Sequence, residues 1–166
     1  YAKHTSGMRI TKYPQRVVSG HHQRQAAAMV FEVTFEPELP DHGMVAPPKK
    51  VSWAFAYGVA DGQPDHDLRY MICGKVVSYY PASLAQILTD LLGELEALES
   101  GRSHNVFMSG YTVLLAEFAG DKVIFRDPGP DGDAMGKMPV ADVRAALRNA
   151  SARLWAYLKA LSATTA

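Results

Sequence analysis

The chain has 166 residues, 48% of them hydrophobic, and carries 17 Lys and Arg against 17 Asp and Glu, so its formal net charge is zero. That length suits one domain with a core large enough to need no staples. Neutrality implies no general pull on nucleic acid or anionic membranes. The single cysteine, Cys73, excludes an internal disulfide, and no apolar run approaches the roughly 20 residues of a membrane helix.

One cysteine fits a reducing compartment, and a cytoplasmic protein is expected. The opening YAKHTSGMRI lacks the apolar stretch of a secretory signal. The domain is expected to span residues 8–163. Residues 1–7, ahead of Met8, are set aside as a remnant or a disordered N-terminus.

The first strand signal is AAMVFEVTFEPEL. Phe31, Val33 and Phe35 alternate with Glu32, Thr34 and Glu36, the period-two pattern of a sheet with one wet face. Pro37 and Pro40 end it, and ELPDHGMVAPPKK follows as a loop. VSWAFAYGVADG places Trp53, Phe55 and Tyr57 at i, i+2 and i+4, which predicts a second strand with an aromatic stripe. LRYMICGKVVSYY reads as strand, tight turn at Gly74 and Lys75, strand, in preference to one long strand with a bulge at Gly74.

PASLAQILTDLLGELEALESG is the clearest helix. Leu84, Ile87, Leu88, Leu91, Leu92, Leu95 and Leu98 form one apolar stripe, Pro81 suits the first turn and Gly101 stops it. Tyr111–Phe118 and Lys122–Arg126 predict a hairpin around Gly120. MPVADVRAALRNASARLWAYLKALSA predicts a second long helix, with Val143, Leu147, Ala150, Leu154 and Leu161 on one side and Pro139 near its start. Three or four strands, a helix, two strands and a helix predict an α+β fold. Its sheet should be mainly antiparallel, with two long amphipathic helices packed on one face.

Candidate chemistry is sparse. The stretch Asp127–Gly136, DPGPDGDAMG, holds three aspartates but places Pro128, Gly129 and Pro130 directly after the first. Position twelve of a calcium loop would be Met138, not glutamate, so a turn between strand and helix is the better reading. His21, His22, His66 and His104 show no zinc spacing. No GxSxG, GxGxxG or GxxxxGK[ST] occurs, and Cys73 sits in an apolar run as a small hydrophobe. No catalytic residue, metal or cofactor is assigned.

Charge is more informative. The first long helix carries Asp90, Glu94, Glu96 and Glu99 and no Lys or Arg, while the second carries Arg144, Arg148, Arg153 and Lys159 against Asp142 alone. Charged outer faces that help the two helices lie side by side account for this simply. An acidic face that steers a basic protein partner accounts for it functionally.

The span 51–162 resembles small bacterial α+β immunity proteins of polymorphic toxin systems. The resemblance is carried by Gly74, the leucines from Leu84 to Leu98, the Gly120 hairpin and the Trp155/Tyr157 helix. It implies a non-catalytic binding protein that neutralises a partner toxin by occluding its active site, and it transfers no site residue. The expected contacts are Asp90, Glu94, Glu96 and Glu99. The partner is a protein, with no nucleic acid and no membrane. Two alternatives stand beside this reading. One is a small hydrolase or transferase assembled from His66, His104 and acids of residues 127–133. The other is a subunit that pairs through an open sheet edge or face.

Overall fold

The computed structural model describes residues 29–108 and 111–164. The expected boundary at residue 8, with His21 and His22, lies outside the described residues. The class is α+β, and all paired strands run antiparallel. The strands form two sheets, however, and the helices number three among the described residues.

The first sheet is a meander of β1 (Phe31–Glu36), β2 (His66–Ile72) and β3 (Lys75–Ala82). β1 buries Phe31, Val33 and Phe35, as its alternation demands. β2 turns into β3 through Cys73 and Gly74, with φ of 51° and 76°. Positive φ at both central residues is the twist a two-residue hairpin needs. The expected turn thus sits one residue earlier, with Lys75 already paired to Ile72.

The second sheet is β4 (His104–Met108), β5 (Tyr111–Ala119), β6 (Lys122–Arg126) and β7 (Ala134–Pro139). Gly120, at φ 68°, lets β5 turn into β6 as predicted. β7 departs from expectation. AMGKMP alternates poorly and contains a glycine, so it carries no strand signal of its own. Backbone pairing to β6 makes it a strand. A side chain at Gly136 would meet Ile72 at 3.0 Å and Met29 at 3.1 Å, so the glycine lets β7 approach the end of the first sheet. Phe31 of β1 stacks on Phe125 of β6 with ring centroids 5.0 Å apart, and one core joins both sheets.

The largest correction concerns VSWAFAYGVADG. It forms helix α1 (Trp53–Ala60), not a strand. Ser52 caps it, its side chain accepting from the Phe55 N–H. The alanines explain the outcome. Ala56 and Ala60, four apart, are buried against the other two helices, while Trp53 and Tyr57, also four apart, face outward. Small residues let helices approach closely, and alanine is the best helix former.

α2 (Leu84–Glu99) begins after an N-cap at Ser83, which accepts from the Gln86 N–H. Pro81, expected inside this helix, belongs to β3 opposite Asp67. α3 (Val140–Thr164) begins after Pro139. The two long helices pack on each other. α3 also touches β1, β6 and β7, while α2 touches β4. α2 is inserted between the two meanders, and hairpin-linked strands pair with their chain neighbours. That is why one sheet becomes two, and why α3 spans both.

Candidate functional site

α2 presents two sides with different chemistry. The inner side buries Ile87, Leu88, Leu91 and Leu98, and among them Glu94. Its carboxylate lies 2.7 Å from Nε2 of His104, the first residue of β4, with side chains 8% and 16% exposed. His104 Nδ1 lies 3.0 Å from the Arg102 carbonyl. Burial is the largest single influence on this imidazole and pulls its pKa down. The Glu94 hydrogen bond, the Arg102 carbonyl and the Glu94 charge together outweigh it, and the net direction is upward.

Tyr70 of β2 is nearby and almost wholly buried. Burial first, then the charges of Glu94 and Asp90, push its phenol well above the usual tyrosine range, so it stays neutral. The cavity that Tyr70, Glu94 and His104 line is otherwise walled by apolar side chains and measures ≈ 10 Å³. That is at the lower limit for holding one water, far too small for a substrate.

The outer side of α2 opens on a groove of ≈ 1200 Å³. Leu92 and Leu95 are its half-buried apolar contribution, with Gly93, Glu96 and Glu99 beside them. Arg148, Asn149 and Ala152 of α3 form the second wall. The third is a strap, residues 37–52, which leaves β1 and runs along α3 before entering α1. Glu38 meets Arg153 at 3.3 Å, His42 stacks on Tyr157 at 5.7 Å, and the Val45 N–H donates to the Ala152 carbonyl at 3.1 Å. Leu39 is buried beneath it. Beyond these anchors the strap carries Met44, Pro47, Pro48, Lys49 and Lys50 into the groove, and Trp53 closes the end.

The four acids expected to share a docking face do not share one. Glu94 points into the core. Asp90 is half-buried and accepts from the Gln86 amide at 2.9 Å. Glu99 is exposed but holds Arg148 of α3 at 2.7 Å. Glu96 is exposed in the groove, and its carboxylate makes no ion pair among the described residues. The Glu99–Arg148 pair realises the side-by-side charge pairing that the compositions of the two helices suggested.

The residues proposed for an enzyme site do not converge: no described hydrogen bond or ion pair joins His66 and His104 to each other or to the acids of residues 127–133. His66 is buried, with Nδ1 3.1 Å from the Pro64 carbonyl. Its neighbour Asp67 faces Arg69 at 3.7 Å. Asp127 accepts from the Gly129 N–H at 2.7 Å, and its own N–H donates to the Asp133 carbonyl at 3.0 Å. Arg126 adds a bond to the Gly132 carbonyl at 3.3 Å. The stretch after Asp127 is therefore a turn, as its prolines and glycines indicate. It links β6 to β7 rather than a strand to a helix. No group of three His, Cys, Asp or Glu among the described residues is placed to hold a metal.

Sequence reasoning missed Trp53 and the strap. Trp53 was expected in a core stripe, yet it is 40% exposed. The usable signals were the cap at Ser52 and the alanines four apart. Comparison of the chain with protein-family models, curated proteins and solved structures gives no match. No helix among the described residues is long and apolar enough to cross a membrane.

Proposed function

We propose that this chain is a non-catalytic binding protein of the immunity type, which seats a segment of a partner toxin in the groove and thereby covers the partner's active site. One observation carries the reading. Of the seven large hydrophobic side chains left exposed among the described residues, four (Met44, Val45, Trp53 and Tyr57) lie between residues 44 and 57. Met44 and Trp53 line the groove itself. Exposed apolar groups gathered in one concavity mark interaction surfaces, and tryptophan and methionine are enriched at interface centres.

Charge defines the occupant. Glu96 stands on the α2 wall, while Lys49 and Lys50 stand on the strap wall, and none of the three makes an ion pair among the described residues. The matching segment is apolar in its middle, basic toward Glu96 and acidic toward the lysines. Of the acids first assigned to docking, Glu96 and Glu99 open on this surface. The same reading places the protein in the cytoplasm, where the exposed thiol of Cys73 stays reduced.

The test is a photo-crosslinker at Met44, used in the native host, followed by activity assays on the captured protein. The expected result is a toxin domain that the purified chain inhibits. Trp53→Asp should weaken binding about 30-fold or more, while Val76→Asp, on another surface, should not. A captured partner that keeps full activity, or one bound equally by Trp53→Asp, would overturn the proposal.

A further inference from the structure

The pair between Glu94 and His104 carries more than packing. The Arg102 carbonyl can only accept a hydrogen bond, so Nδ1 of His104 must carry a proton. The Glu94 carboxylate also only accepts, so the 2.7 Å contact at Nε2 needs a second proton. A neutral imidazole facing an ionised carboxylate would set two lone pairs against each other in a largely buried site.

We propose that Glu94 and His104 form a proton-dependent latch, which holds the later half of α2 to the edge strand of the second sheet and opens when the shared proton leaves. The surroundings favour this. On α2, Asp90 adds a second negative charge one turn earlier, and on β2 Tyr70 contributes only a neutral phenol. Arg102 offers His104 its carbonyl while its guanidinium bonds Ser100. Among the described residues, β5 and β6 present Ala116 and Phe125 to the pair's cavity, and α3 presents Val143 and Leu147. On α3, Arg148, which lines the groove, is engaged by Glu99.

The sign follows from the raised pKa of His104. The latch is fully closed below about 6.5, the ordinary histidine value, and is lost as pH climbs through the higher folded value. The same turn of α2 carries Gly93, Leu95 and Glu96 into the groove. If the docking proposal holds, on which this consequence alone rests, docking weakens over the same pH interval.

The experiment uses the free protein, so its outcome is independent of any partner. The His104 ring nitrogens are followed by NMR against pH, together with amide protection factors along α2 and α3. The expected result is a ring that stays protonated at both nitrogens past the ordinary histidine value and loses a proton only at higher pH. Protection of Leu91–Glu99 should then fall at least tenfold relative to Leu147–Leu158. In Glu94→Gln the side-chain amide can donate to an unprotonated Nε2, so that fall should vanish. A ring titrating at or below the ordinary histidine value, or α2 protection that tracks α3 throughout, would overturn the latch. Loss of docking in Trp53→Asp with the latch intact, or the reverse, separates the two proposals.

Discussion

The two sides of α2 differ in what they do with the same residue types. Inside, Leu88 and Leu91 are wholly buried and Glu94, itself buried, is bonded at 2.7 Å to a half-buried histidine. Outside, Leu92 and Leu95 are half-exposed and Glu99 is bonded at 2.7 Å to an exposed arginine. Length of bond and type of residue are shared, and exposure is not. Burial, therefore, decides whether a leucine or a carboxylate supports the fold or remains for a partner. The charge of a helix, summed from its composition, does not reveal this.

The largest test sets leucine against leucine. Leu91→Ala should cost about 3 kcal/mol in urea unfolding, from lost transfer energy and the cavity left behind. Leu95→Ala should cost about 1 kcal/mol, since part of its surface already meets water. Equal losses would erase the distinction. The second test sets carboxylate against carboxylate. Glu94→Ala should cost about 2 kcal/mol near pH 6, where it leaves a half-buried imidazole without its carboxylate partner. That loss should shrink as pH rises through the raised pKa of His104, because the proton that makes the pair is then leaving. Glu99→Ala should stay within about 0.5 kcal/mol at either pH, as both members of its pair with Arg148 are solvated.

The sequence made legible whatever is periodic and locally signalled. β1 shows in the alternation of Phe31, Val33 and Phe35, α2 and α3 in their leucine stripes, and the β5–β6 turn in Gly120. The rest depends on long-range pairing. AMGKMP becomes a strand only because β6 lies beside it. Trp53, Phe55 and Tyr57 fit period two, but burial of Ala56 and Ala60 at helical spacing overrides that pattern. The site was legible only in part. Its acids were visible as a charge imbalance, but their division between two sides is set by the helix's rotation against β4. Glu94 and His104 are ten residues apart across a turn, and no local spacing rule joins them. The strap reads as loop by its prolines, while its anchoring to α3 through His42, Glu38 and Val45 is tertiary.

The smallest effect sharpens the contrast most. Three of the four acids, Glu94, Glu96 and Glu99, lie in the later half of α2, toward the end where the helix dipole disfavours negative charge, and the last turn holds no basic residue. Glu94 and Glu99 are compensated by His104 and Arg148, whereas Glu96 makes no such pair among the described residues. Glu96→Lys should therefore stabilise the free protein by about 0.5 kcal/mol, read as a small rise in the urea midpoint at low ionic strength that salt removes. The same substitution turns the α2 wall of the groove positive, facing Lys49 and Lys50 across it. Partner association should slow, most strongly at low salt. A residue whose reversal strengthens the fold but weakens docking is held for the partner. If both improve together, or neither changes, Glu96 is an ordinary solvated charge and the outer side of α2 has no use for it.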